Sequence, residues 1–261
     1  LTLLAEERKR IILKTLDTYG KVTVKNLSAT FNVSTETIRR DLDALESNGM
    51  LKKVYGGAIE LTFDGPEHPH KQREKVYLEE KKAIGKAAAA LVNDNEIIAL
   101  DYGTTTIQII PNLKNKKNLT VLTNSVPALT LLIDYKNKNL FSGKIIYLGG
   151  EINSSQMSSF GPITEKMLKE FYVDKAFIGI GGISIKHGIT EYDINEGVLS
   201  KKMIGNAKES IIVADHSKIG VRQFYKIADI DLINAIVCDQ KPPDDWTNDL
   251  IKSGIKWITP L

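Results

Sequence analysis

The sequence predicts an α/β chain: a small N-terminal winged helix-turn-helix, then a larger, doubly wound, mainly parallel α/β domain. Two patterns carry that expectation. The run Val33-Ser-Thr-Glu-Thr-Ile-Arg-Arg-Asp-Leu42, followed by Lys53-Val-Tyr-Gly-Gly-Ala58, reads as an arginine-bearing helix ahead of a glycine-hinged β turn. From Leu78 onward, short β-branched runs alternate with helical ones, as in strands joined by crossover helices. The expected division is residues 1–60, a linker at 61–77, and residues 78–261.

The N-terminal elements follow in order. Glu6 to Tyr19 is expected as a helix with Ile11, Ile12, Leu16 and Tyr19 on its inner side, closed by Gly20. Val22 to Phe31 reads as a second, short helix, turned by Asn32-Val33 into a third. Ser34 suits the N-cap of that third helix, because its hydroxyl can accept from an otherwise unpaired N–H of the first turn. Ile38, Leu42 and Leu45 recur at helical spacing as a buried stripe, and Gly49 fits a left-handed closing residue. Opposite the stripe stands Arg40, flanked by Thr37 and Arg39. Arginine matches the acceptor edge of guanine, and threonine can bond a base or touch a thymine methyl. Alone, Arg39 and Arg40 would equally suit a solvated helix face. With two helices before them and a wing after them, the pattern points to double-stranded DNA. The candidate contacts are Ser34, Thr35, Thr37, Arg39 and Arg40 of the helix, and Lys52, Lys53, Tyr55 and Gly56 of the wing.

Composition sets bounds. A chain of 261 residues has room for about two domains. Its net charge is only +3, and residues 1–60 carry ten Lys/Arg against eight Asp/Glu. DNA affinity must then come from where charges point and from a second copy of the module, so a homo-oligomer, dimer or tetramer, is expected. The single cysteine, Cys238, excludes an intramolecular disulfide and sits in an apolar run that reads as a buried strand. No apolar run approaches membrane-spanning length, so a cytoplasmic chain without membrane association is expected. His68 and His70 flank a proline without further ligands at metal spacing; neither metal nor cofactor is expected.

In the second half, Leu78 to Val92 reads as an alanine-rich helix. Strands fit Glu96–Leu100, Leu119–Thr123, Lys144–Leu148, Lys175–Gly179, Ser210–Ala214, Ala235–Cys238 and Lys256–Thr259, with a helix running through Ile110. Open α/β sheets bind ligands where their strands end. The loops there contain Asp101, Gly103, Thr104, Thr105 and Thr106, then Thr123 and Asn124, then Gly149 and Gly150, Gly179-Ile-Gly-Gly182, and Asp215 to Lys218. Glycine lets backbone N–H groups approach an anion, the threonines add hydroxyls, and lysine adds charge. Each loop alone is ordinary turn chemistry. Their shared position favours a phosphorylated small molecule.

The chain resembles the DeoR family of bacterial sugar-metabolism repressors. In the first half the resemblance rests on Val33-Ser34, Thr37-Ile-Arg-Arg-Asp-Leu42, Leu45-Glu46 and Gly56-Gly57-Ala58. Where that family usually has an arginine before the wing, this chain has Lys52-Lys53, which keeps charge but loses bidentate geometry. In the second half it rests on Asp101 with Gly103-Thr104-Thr105, Thr123-Asn124, Gly149-Gly150, Asp174 with Ala176-Phe177, and Asp215 with Ser217-Lys218. The resemblance implies a repressor that releases DNA when a sugar phosphate or related metabolite binds.

The same half is similar to ribose-5-phosphate isomerase in Glu80-Lys-Lys-Ala-Ile-Gly85, the Gly-Thr-Thr-Thr loop and Ala214-Asp-His-Ser-Lys218. That likeness makes Lys81 a further candidate phosphate contact. It also opens an alternative, a sugar-phosphate isomerase carrying a DNA-binding domain. Against it, the enzyme's acidic run after the central strand is replaced here by Asp174-Lys-Ala-Phe-Ile-Gly-Ile-Gly-Gly182. Only Asp174 of its acids remains; Glu191, Asp193 and Glu196 are nearby carboxylates that could substitute, but nothing in the sequence fixes their geometry.

Overall fold

The computed structural model describes residues 4–47, 50–59 and 67–260, apart from the side chains of residues 17 and 18. The chain divides into two compact units, Leu1–Tyr77 and Leu78–Leu261.

In the first unit, helix α1 (Ala5–Tyr19) ends on Gly20 in the left-handed region, whose N–H returns to Leu16 O. Its inner face differs from the expected one: Ile12 and Leu16 are buried, but Ile11 and Tyr19 are exposed. The stripe instead continues one turn back to Arg8. The Arg8 guanidinium grips Asp41 with Nε to Oδ2 at 2.8 Å and a second bond to Oδ1 at 3.1 Å. Residues 21–23, partly assigned to the second helix by sequence, form strand β1 (Lys21–Thr23), and helix α2 (Val24–Phe31) starts one residue later. The Thr23 side chain caps α2 by accepting from Asn26 N. Asn32 closes α2 in the left-handed region and turns the chain into helix α3 (Thr35–Ser47). The wing is strands β2 (Lys52–Val54) and β3 (Gly57–Ile59), with β3 in the middle of an antiparallel β1-β3-β2 sheet. Ile12, Leu16, Leu27, Phe31, Ile38, Leu42, Leu45, Leu51 and Ala58 share one core. Gly49 lies outside the described residues. Within the expected linker, His70–Arg73 forms a short helix, α4, with Arg73 paired to Glu67 at 2.8 Å.

The second unit is built on seven parallel strands. They are β4 (Ile97–Leu100), β5 (Thr120–Thr123), β6 (Lys144–Tyr147), β9 (Val173–Ile178), β12 (Ala207–Val213), β14 (Ala235–Val237) and β15 (Lys256–Ile258). Their spatial order is β15-β14-β12-β9-β4-β5-β6. The order grows outward in both directions from the β4/β9 pair, which is the topological switch point of a doubly wound sheet. All seven coincide with runs expected from sequence.

Alternation along each strand divides the core in two. Ile98, Leu100, Phe177, Ile211 and Val213 pack with helices α5 (Leu78–Ala90) and α6 (Val126–Asn137). Ala99, Ala176, Ile178 and Ile212 pack on the other side with α7 (Pro162–Leu168), α8 (Ile194–Gly205) and α9 (Thr247–Lys252). The helix expected through Ile110 is a 3-10 segment, Thr106–Asn112, carrying Pro111. Two features had no counterpart in the sequence reading. One is a hairpin of β7 (Glu151–Asn153) and β8 (Ser158–Phe160). The other is a small antiparallel sheet of β10 (Gly182–Ser184), β11 (Gly188–Glu191) and β13 (Tyr225–Ala228).

Candidate functional site

The polar face of α3 carries the first set of candidates. Ser34 caps the helix: its Oγ accepts from Thr37 N at 3.1 Å and lies 2.9 Å from the Thr37 hydroxyl. Thr35 is exposed on the first turn and Thr37 is half-buried. Arg39 and Arg40 project into solvent with side chains 59% and 78% exposed, each 3.7 Å from Glu36. At that distance and exposure the shared carboxylate orients the guanidinium groups without tying them down. Asp41 is buried under Arg8 and serves the fold. Tyr55, at the wing turn, is fully exposed. Gly56 takes a φ of 81°, which favours glycine, while a Cβ on Gly57 would stand 2.0 Å from Val22 O. Lys52 is exposed. Lys53 behaves differently: its ammonium pairs with Asp43 and its N–H donates to Glu46 Oε1 at 2.8 Å.

The second set gathers at the carboxyl ends of β4, β5 and β12. Leu100 is in register with Thr123, so Asp101 and Asn124 leave adjacent strands side by side. Both are fully buried. Asp101 accepts from Tyr102 N at 2.9 Å and from the Ser200 hydroxyl of α8 at 2.6 Å. Asn124 donates from Nδ2 to Ser159 O at 3.3 Å, and its Oδ1 is buried without a hydrogen-bond partner. After β12, Asp215 is buried and accepts from the N–H and hydroxyl of Ser217. Burial pushes the Asp215 carboxyl up, but the charges of Lys218 and Lys81 and the Ser217 hydroxyl outweigh it, leaving it below the usual range. Lys81 and Lys218, from elements far apart in sequence, are thus both buried and both act on one carboxylate. Lys218 Nζ also lies 5.6 Å from the centre of the Tyr192 ring. Lys81 sits one turn before Gly85, where α5 touches the backbone of Gln108.

Other candidates have local tasks. Thr104 and Thr105 are buried beside the switch point, but Thr106 spends its hydroxyl on Gly103 O at 3.1 Å. The 3-10 segment that follows lacks the aligned turns that give an α-helix its positive N-terminus. Thr123 accepts from Ser125 N at 3.1 Å and so shapes the turn into α6. Gly150 has a φ of 156° and its Cβ would collide with Thr164, whose hydroxyl reaches Gly149 O and Phe160 O. The Gly149-Gly150 pair therefore builds the turn after β6. Asp174 lies at the opposite, amino edge of the sheet, where it accepts from Ile97 N at 2.9 Å and Lys208 at 2.6 Å.

Sequence reasoning missed Ser200 and named Glu196 only as a carboxylate that could substitute in the isomerase alternative. Glu196, Gly197 and Ser200 lie on one face of α8, and Glu196 holds the β7–β8 hairpin through the Ser158 hydroxyl at 2.5 Å and Asn153 Nδ2 at 3.3 Å. The only sequence signal was the spacing from Glu196 to Ser200, one helical turn. His216 was passed over as well: its N–H and Nδ1 reach Asp239 at 2.8 and 2.7 Å. Among the described residues no group of three or more His, Cys, Asp or Glu could hold a metal ion, and no helix is long and apolar enough to cross a membrane.

A winged helix-turn-helix followed by a doubly wound α/β unit with a buried polar site at its switch point defines a DNA-binding transcription regulator with an attached sensor. Residues 8–62 match the DeoR-like helix-turn-helix domain and residues 77–240 match the DeoR C-terminal sensor domain. The chain is 34% identical over 253 residues to the HTH-type transcriptional repressor GlcR of Bacillus subtilis (strain 168), covering 97% of this chain and 95% of that one. It is 33% identical over 229 residues to the HTH-type transcriptional regulator IolR of the same organism, covering 88% and 89%. Among solved structures, ribose 5-phosphate isomerase A from Methanocaldococcus jannaschii aligns over 55% of each chain at 21% identity and a TM-score of 0.40, too loose a likeness to carry function. The chain belongs to the DeoR family of transcriptional regulators.

Proposed function

We propose that the chain is a cytoplasmic repressor of a bacterial carbohydrate-metabolism operon, released from its operator by a phosphorylated sugar or related metabolite. Residues 1–60 read DNA, 61–77 link, and 78–261 sense. One module covers one half-site, so the working form is a dimer or tetramer. The observation that carries the sensor reading is that Lys81, Lys218 and Asp215 are all buried at the carboxyl edge, where the charges of both lysines hold the Asp215 carboxyl below its usual range. Two ammonium groups against one carboxylate leave a net positive charge in a water-poor setting, where charge-assisted bonds to an entering phosphate are strong. Across the switch point, Asp101 and Asn124 Oδ1 are acceptors suited to the hydroxyls of the attached sugar. The orphaned Asn124 oxygen supports this, because buried polar atoms in native folds are almost always paired. A name such as transcriptional repressor, borne by the relative GlcR, supports the direction of control.

The mechanism is linkage. An effector that binds the DNA-incompetent arrangement better weakens operator affinity by the same coupling energy, typically ~1–3 kcal/mol. A thermal-shift screen of phosphorylated sugars against their unphosphorylated forms tests the sensor. A true effector at ~100 times its dissociation constant should add ~2.7 kcal/mol of stability. Stabilisation by unphosphorylated sugars only, or by none of the phosphorylated ones, would remove the sugar-phosphate reading.

A further inference from the structure

We infer that the two wing lysines have different tasks: Lys52 contacts a DNA phosphate, whereas Lys53 is a positioning residue that fixes the wing against α3. The pleat separates them. Lys53 is in register with Ala58 and Lys52 with Ile59, and side chains opposite each other across a ladder share a face. Ala58 is fully buried in the core, so Lys53 stands on the inward side of the wing, towards α3. Lys52 and Val54 lie on the outward side and are exposed.

Two carboxylates one turn apart on α3 then hold Lys53. Glu46 Oε1 accepts from its backbone N–H at 2.8 Å, and Asp43 pairs with its ammonium. The Lys53 side chain is 33% exposed, against 56% for Asp43. An ammonium already neutralised by a neighbouring anion gains little by moving to a phosphate, since it exchanges one anion for another. Lys52 has no such acidic partner described, and its charge adds to counterion release when DNA binds. The strands of the wing are three residues each, so its angle to the arginine helix depends on such a tie.

The test is fluorescence anisotropy of the full chain on a random-sequence duplex and on a selected operator, across a range of salt. Lys52→Met should lower the salt slope by about 0.9, the contribution of one phosphate contact. Lys53→Met should leave that slope unchanged yet weaken operator binding about two- to fivefold, the scale of an exposed ion pair. Asp43→Asn should reproduce the Lys53→Met loss, and Lys53→Arg, which keeps the pairing, should bind normally. Should Lys53→Met prove unstable, Asp43→Asn decides alone. The inference is overturned if Lys53→Met loses as much slope as Lys52→Met, or if Asp43→Asn tightens binding and steepens the slope, as release of a masked phosphate contact would.

Discussion

The Ser200 hydroxyl donates to the Asp101 carboxylate at 2.6 Å, joining α8 to the end of β4 across 99 residues of chain. One turn earlier on the same helix, Glu196 holds the β7–β8 hairpin. A ligand that draws on Asp101 therefore acts on α8, and through it on the hairpin. Hydrogen bonds to a charged group contribute ~1.5–3 kcal/mol, and loss of one partner leaves a buried charge poorly solvated. Ser200→Ala should lower the stability of the second unit by about that amount. Both tryptophans of the chain, Trp246 and Trp257, lie in this unit with ring centres 6.3 Å apart, so their fluorescence in urea follows it alone. An unchanged unfolding midpoint would show that this bond contributes nothing.

Arg40→Ala should cost ~1–3 kcal/mol of operator affinity, the worth of a lost base contact, and less on random DNA. Its side chain is 78% exposed and its only ion pair among the described residues is a long one to Glu36, so the fold should be unaffected. Anisotropy titrations on a selected operator and on random duplex measure both. Equal losses on the two would make Arg40 a phosphate contact; no loss on either would mean another face of α3 meets the DNA.

Asp174 gives a pH signature. Its bond from Ile97 N, then its bond and charge interaction with Lys208, hold the carboxyl below the ordinary range despite partial burial. A depressed folded pKa means that folding favours the ionised form. The resulting stability is fully present above the unfolded value, about 3.9, and is lost as pH falls through the folded one. Asp174→Asn should lower the thermal midpoint at neutral pH and flatten its fall below about pH 4. A variant with the wild-type acid profile would place the acid sensitivity elsewhere. Such a role at the amino edge also leaves Asp174 unavailable as a base at the opposite edge of the sheet.

Much of this was legible in the sequence. The stripe Ile38, Leu42, Leu45 fixed the orientation of α3 because a three-helix core leaves few ways to bury it. The seven parallel strands were visible because strands buried on both faces read as unbroken β-branched runs. What failed depended on contacts that sequence does not show. Ile11 and Tyr19 fit the helical period as well as Ile12 and Leu16, and only the Arg8–Asp41 pair reveals which face turns inward. Lys81 and Lys218 could be proposed one by one, but that both act on Asp215 follows from a topology that packs α5 against β12. The strands β7, β8, β10, β11 and β13 were hidden because each mixes one or two large apolar residues with polar residues or glycine, unlike the apolar runs of equally short β4 and β14. The Lys52/Lys53 distinction was latent in the pleat and needed the register with Ala58 and Ile59 to be read.

On the proposed function, a phosphate held by Lys81 and Lys218 weakens DNA binding. The most direct measurement is release of a labelled operator, titrated with the sugar phosphate that stabilises the wild-type chain, for wild type and Lys218→Ala side by side. Removing one charged hydrogen bond, worth ~1.5–3 kcal/mol, should leave operator affinity unchanged while raising the effector concentration for release roughly ten- to a hundredfold. If Lys218→Ala releases the operator at the wild-type concentration, or loses operator binding outright with its melting temperature unchanged, the sensor site lies elsewhere.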